Sequence, residues 1–259
     1  MEHLALNTAL ATALAAGASV ATGALGFYCY AAQSPASQLF GRTAIAPRQP
    51  NQIALTFDDG PNPRWTPMLL DILARHNVRA TFFLIGKYAV LQKPLVREMQ
   101  AAGHRIGNHS WSHPNFAWTG NRQTREELTR TQQELESILG QPVRFFRPPY
   151  GARRPYTLGL ARSLGLTPVL WNAMTADWNA ASGDPATQRK DAAAIAERLT
   201  DLIDRNQRRG FASNIVLHDG GHRTLEANRA ASIAAAALLL DRFTPTRQFV
   251  TLEAWERQA

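Results

Sequence analysis

Two carboxylates stand side by side in Thr56-Phe57-Asp58-Asp59-Gly60-Pro61, directly after the apolar run Ile53-Ala54-Leu55. Adjacent carboxylates repel, and a cation beside them relieves that cost. Asp-Gly-Pro is also good turn chemistry, so the pair taken alone fits a plain turn equally well. Further on, His109 and His113 stand four apart in His109-Ser110-Trp111-Ser112-His113. On a helical turn this spacing lets both imidazoles face one ion. Two histidines and one aspartate form a facial ligand set with positions left open for water and substrate. Arg147 opens Arg147-Pro148-Pro149-Tyr150-Gly151, and an arginine at a strand end can grip a carboxylate through two hydrogen bonds. Asp177-Trp178 follows, and then His218 at the end of the apolar run Asn214-Ile215-Val216-Leu217. A titratable group there is costly unless it is satisfied or used.

The elements that must carry these residues are short apolar runs alternating with helical stretches. Strands are expected at 53–57, 80–85, 104–109, 145–147, 167–171, 214–218 and 249–252. Helices are expected at 66–76, 91–102, 124–139, 156–164, 192–205 and 229–242, with Gly103 and Gly140 as stop signals. Residues 179–191 read as a loop. Such alternation implies βαβ units and a parallel sheet, and seven or eight repeats point to a barrel. Asp58, Asp59, His109, Arg147, Asp177 and His218 all fall at or just after the carboxyl ends of strands, where parallel α/β folds place their chemistry.

Taken in order, TFDDGP, HSWSH, RPPYG, DW and LHDG resemble the polysaccharide deacetylase family, carbohydrate esterase family 4, over about Asn51 to Leu252. The resemblance implies a distorted (β/α) barrel that hydrolyses acetyl groups on glycans with one divalent metal, usually Zn2+. It implies that Asp59, His109 and His113 bind the metal and that Asp58 is the general base, oriented by Arg147. The backbone N–H of Tyr150 would help stabilise the oxyanion. Asp177 would orient His218, and His218 would protonate the leaving amine. Trp178 and Leu217 would wall the pocket for the acetyl methyl group. Met174 stands where the family's fourth motif often has an earlier aspartate, so the partner of His218 falls to Asp177.

The expected fold is therefore α/β, a distorted (β/α) barrel of about seven parallel strands preceded by an N-terminal apolar helix. Residues 1–32 are expected to be a signal peptide or membrane anchor, 33–50 a linker and 51–259 the deacetylase domain. No charged residue occurs from Leu4 to Gly41. That run is long enough to cross a bilayer, which takes about 20 apolar residues. It lacks the basic start of a cleaved signal, while Arg42 and Arg48 after it would by themselves favour a cytoplasmic domain. A glycan-modifying domain implies the opposite side, in the periplasm or cell envelope, with a membrane as partner through residues 1–32.

The chain has 259 residues, 45% hydrophobic and 19% charged, enough for a sizeable core and unlike a disordered chain. Its single cysteine, Cys29, excludes an intramolecular disulfide and a cysteine-based zinc finger. The net charge of +8 favours anionic surroundings. No phosphate-binding or dinucleotide glycine motif is present, and the basic run at 205–209 lacks the aromatic interleaving of a single-strand binder, so nucleic acid is not expected as a partner. The expected substrate is an N-acetylglucosamine polymer such as peptidoglycan or a chitin-type chain. Acetylxylan hydrolysis, or glycan binding without turnover, are the alternatives. His222 is read as equally a solvated loop residue or a substrate contact, and Arg153 and Arg154 as candidates to meet an anionic glycan.

Overall fold

The computed structural model describes residues 22–180 and 183–256. Residues 22–33 form helix α1. The chain then runs through β1 (Gln52–Gly60), α2 (Trp65–Arg75), β2 (Thr81–Leu84), α3 (Gly86–Leu91), α4 (Lys93–Ala101), β3 (Arg105–Asn108) and α5 (Asn121–Leu139). It continues with β4 (Phe145–Phe146), α6 (Pro155–Ser163), β5 (Thr167–Pro168), β6 (Ala173–Met174), α7 (Pro185–Arg208), β7 (Ser213–His218), α8 (Ala230–Phe243), β8 (Gln248–Val250) and α9 (Glu253–Glu256).

Seven parallel strands lie in the order β5-β4-β3-β2-β1-β7-β6, and β8 pairs with the first residues of β1. The central strands are buried along nearly their whole length, as strands covered by crossover helices must be. Ile53, Leu55 and Phe57 of β1 pack with Phe82, Leu84, Ile215 and Leu217 into the main core, which the helices complete. The sheet curls without closing, since among the described residues β5 and β6 do not pair.

Residues 33–50, expected to be a linker, are instead built into this fold. Ala44 bridges to Val169 in parallel at the β5 edge, its N–H donating to Pro168 O and its carbonyl accepting from Leu170 N–H. The Asn214 amide of β7 donates to Ile45 O at 2.9 Å and Leu170 O at 2.7 Å, which spans the gap between the two sheet ends. Pro47 O accepts from Ala212 N–H. The segment is held through its backbone, so its side chains carry no periodicity to announce it.

Other expectations shift in detail. The helix expected at 91–102 is α4 at Lys93–Ala101, and an unexpected helix, α3 at Gly86–Leu91, precedes it across a break at Gln92 ahead of Pro94. The loop expected at 179–191 is helical from Pro185, because Asp184 caps α7 by accepting from Ala186 N–H and Thr187 N–H. No helix among the described residues is long and apolar enough to cross a membrane. The apolar stretch expected to do so lies mostly in residues 1–21, outside the described residues.

Candidate active site

Successive strand residues alternate faces, so Asp58 and Asp59 would ordinarily point apart. A bulge between Asp58 and Gly60 in the β1–β2 pairing removes that constraint. Asp59 takes the left-handed conformation there, with φ 71°, and both carboxyls reach the same pocket. The turn is packed tightly against the end of β7. A Cβ on Gly220 would lie 2.1 Å from Asp59 O, so only glycine fits that position. Asp219, wholly buried, accepts a hydrogen bond from the Thr66 hydroxyl, and burial pushes its carboxyl up to about 7.

His109 and His113 leave the end of β3 on an irregular loop rather than the expected helical turn. Ser110 and His113 are both left-handed, with φ 67° and 68°, which folds the loop so that both rings face Asp59. The loop is pinned by hydrogen bonds that sequence reading did not anticipate. Ser110 N–H donates to Asn108 Oδ1 at 2.9 Å, His113 N–H to Ser110 Oγ at 3.0 Å, and Ser112 N–H to Glu127 Oε2 at 2.7 Å. Asn108 is itself tied to α5 through Leu128 O.

Asp59 Oδ1 lies 3.4 Å from His109 Nε2 and 3.1 Å from His113 Nε2. The Asp59, His109 and His113 ligand atoms all fall within 4.8 Å of one another, and all three residues are buried. Asp59 Oδ1 has no hydrogen-bond partner. His109 Nδ1 sits 2.7 Å from Arg147 O, which can only accept, so Nδ1 carries the proton and the Nε2 lone pair faces the carboxylate. Facing lone pairs around a buried, unpartnered oxygen are what a cation would reconcile, and these residues fit a divalent metal. Burial would raise the Asp59 carboxyl, but His109, His113 and His222 around it hold it well below the usual carboxylate range. Burial pulls His113 down, and Asp59 opposes that fall.

Asp58 is held from the other side. Arg147 Nη1 donates to Asp58 Oδ1 and to Thr56 Oγ1, each at 2.7 Å. The grip is through a single nitrogen rather than the two parallel bonds expected of the fork. Arg147 is wholly buried and its guanidinium lies over the Phe83 ring at 4.1 Å. Burial pulls its pKa below the ordinary value, opposed by the Asp58 charge.

Asp58 of β1 pairs in register with His218 of β7, so the strand ends set the two side by side. Asp177 sits on a single 3-10 turn at Asp177–Asn179. Its Oδ1 meets His218 Nδ1 at 2.9 Å, while Oδ2 accepts from His218 N–H at 2.9 Å and Ser232 Oγ at 2.7 Å. Burial disfavours a charged His218, but the adjacent Asp177 carboxylate, aided by Asp59 and Asp58, raises its pKa to about 9.

Asp58, Asp59, His109, His113 and His218 line one cavity of about 650 Å³ with Tyr150, Trp171, Met174, Trp178, Val216 and His222. Trp178 packs edge-on against His218 at 4.9 Å. Leu217 does not line it. The alternation that points Val216 and His218 inward turns Leu217 into the main core, so Val216 takes the wall position expected of Leu217. His222 proves to be at the site. Its ring stacks on His113 at 4.6 Å and its Nδ1 is 3.8 Å from Asp59 Oδ2. Arg153 does not face a glycan, being buried among backbone carbonyls, and Arg154 donates to Phe116 O.

A family model described as polysaccharide deacetylase matches residues 46–169. A chitooligosaccharide deacetylase of Azorhizobium caulinodans is 36% identical over 183 residues, 70% of this chain and 80% of that protein. A peptidoglycan-N-acetylglucosamine deacetylase of Bacillus cereus is 40% identical over 136 residues, 52% of this chain and 50% of that protein, so the chain spans about half that relative. Among solved structures, a family 4 carbohydrate esterase from Streptomyces lividans in complex with acetate superposes with a TM-score of 0.60 at 32% identity, covering 79% of this chain and 89% of that one.

Proposed function

Because the chain belongs to the polysaccharide deacetylase family, we propose that it is a metal-dependent hydrolase that removes N-acetyl groups from an N-acetylglucosamine polymer, peptidoglycan or a chitin-type chain. The observation that carries this reading is the placement of Asp58, held by Arg147, and His218, held by Asp177, beside the Asp59, His109 and His113 cluster, with Asp58 and His218 facing the same cavity as the cluster.

Asp59, His109 and His113 would hold the ion, and their donor set suits Zn2+. When bound, such an ion supplies Lewis acidity that polarises an acetyl carbonyl and eases deprotonation of water near neutral pH. Asp58 takes the proton of the attacking water, and Arg147 holds its other oxygen so that the lone pair stays aimed. The Tyr150 N–H donates to the carbonyl oxygen as charge builds there. His218, protonated at neutral pH, gives its proton to the departing nitrogen, since an amine anion is too poor a leaving group to go alone. Trp178 and Val216 narrow the cavity around the acetyl methyl. Residues 1–32 would tether the domain outside the cytoplasmic membrane, which the uncharged run and the nature of the substrate support and which protease accessibility in intact cells tests.

The test is acetate release by the full chain from chitooligosaccharide, peptidoglycan and acetylxylan, after chelation and after zinc is restored. Zinc-restored release from either N-acetylated glycan is expected. Release from acetylxylan alone would make it an esterase, and no release from any with metal bound would leave a glycan-binding protein.

A further inference from the structure

Arg147 and Arg153 are the largest fully buried side chains of the described chain, and only Arg147 has a carboxylate beside it. Arg153 spends its donors on backbone carbonyls. Nη1 donates to Gly151 O at 2.9 Å and Ala32 O at 3.2 Å, and Nη2 to Ser34 O at 2.8 Å and Ser37 O at 2.6 Å. Its backbone N–H also donates to Ala32 O. All of these carbonyls but that of Gly151 belong to the end of α1 and the turn after it. A helix carboxyl end carries orphan carbonyls and partial negative charge, so a guanidinium is the natural group to satisfy both. Burial pulls the Arg153 pKa down only to about 10, and the charge is kept at neutral pH.

The other end of this lock is Gly151, in the loop that carries Tyr150. Tyr150 and Gly151 are successive left-handed residues, with φ 59° and 66°. For a tyrosine that conformation is unfavourable, and such strain persists only where the surroundings over-determine it. Gln33 O lies 3.5 Å from where a Gly151 Cβ would be, so the α1 end packs directly on the loop. Ala32 and Ala152 share one small apolar cluster with Ala117.

We propose that the end of α1 and residues 34–37 are a working part of the active site: through Arg153 they hold the Tyr150 loop in the left-handed form that presents the Tyr150 N–H to the substrate carbonyl. Arg153 is thus a positioning residue. The proposal rests on the oxyanion role given to that N–H above.

The test compares full-length wild type, Arg153→Lys and Arg153→Ala, each zinc-loaded, on the N-acetylated glycan from which wild type releases acetate. In Arg153→Ala, kcat should fall by about ten- to a hundredfold, approaching the loss of one oxyanion donor. KM and zinc affinity by chelator competition should change little. Amide exchange should quicken at 150–153 while the barrel strands stay protected, and added guanidinium ion should restore part of the rate. Arg153→Lys, which keeps the charge but not the fork, should fall between and carries the test if the alanine variant does not fold. Unchanged kcat in folded Arg153→Lys or Arg153→Ala overturns the proposal. So does a parallel fall of kcat, zinc affinity and barrel protection, which would make Arg153 a support of the whole fold. An inert wild type would instead sink the deacetylase reading, and the exchange pattern would still report on the lock.

Discussion

The floor and the rim of the cavity are made differently. On the floor, Asp58, Asp59, His109, His113 and Arg147 are each at most 8% exposed and anchored on the ends of β1, β3 and β4. At the rim, Tyr150 is 49% exposed, Trp178 39% and the His222 side chain 32%, and all three ride on loops or single turns. The floor is where charge is concentrated and water excluded, so small displacements there are expensive. The rim meets the variable part of the substrate and can change without disturbing the chemistry. Left-handed conformations cut across this division. Asp59, Ser110, His113 and Tyr150 are four of the five non-glycine residues with positive φ among the described residues, and all belong to the site.

If the floor is a metal site, its loss should be total. Asp59→Ala and His113→Ala are expected to lose zinc in chelator competition and acetate release with it. Zinc retained at wild-type affinity in both variants would remove the ligand assignment.

Asp58→Asn separates base from ligand on the same floor. The amide keeps the shape and can still meet Arg147, but it cannot take up a proton. Zinc affinity should hold while kcat falls by about 10²–10⁴-fold, the range of a lost general base. Loss of zinc together with activity would show that the two adjacent carboxylates are not divided in function.

Asp177→Asn probes the wall between floor and rim. His218 is protonated below its folded pKa of about 9, so wild-type activity is expected to fall on the alkaline side as pH rises through about 9. Because that pKa lies above the ordinary histidine value, the stability gained from the charged pair is fully present below pH about 6.5 and is lost as pH rises through about 9. Without the Asp177 charge, burial is opposed only by Asp59 and Asp58, and the alkaline limb of kcat/KM should move to lower pH. An unmoved limb in the variant would mean that His218 is not the acid.

Much of the floor is legible in the sequence because each strand end carries its chemistry in a contiguous motif. The alternation of side chains along β7 also points to Val216 over Leu217, two residues from His218 on the same face. Asp184-Pro185 was likewise a readable helix start. What could not be read was held by main chain. Residues 33–50 bond through carbonyls and N–H groups, and Arg153 caps carbonyls that any sequence would offer. The bulge at Asp59 also has no residue signature beyond the glycine that follows it. His222 belongs to no motif, and only the return of the loop after β7 brings it to His113.

His222→Ala gives the sharpest test of floor against rim, through the smallest effect. The ring touches a floor residue, His113, yet its Nδ1 stands 3.8 Å from Asp59 Oδ2, beyond hydrogen-bond length. It is held by its own carbonyl, which accepts from Lys87 Nζ at 3.2 Å and Tyr88 OH at 3.1 Å, so its placement is a property of the loop rather than of an ion. Removing the ring should open one side of the cavity and loosen the Tyr150 hydroxyl, 3.4 Å from His222 Nε2. KM is then expected to rise, with zinc affinity falling by less than the roughly tenfold at which losses of metal-supporting partners begin. Zinc affinity collapsing as far as in His113→Ala would move His222 from the rim to the floor and make the ligand set four residues rather than three.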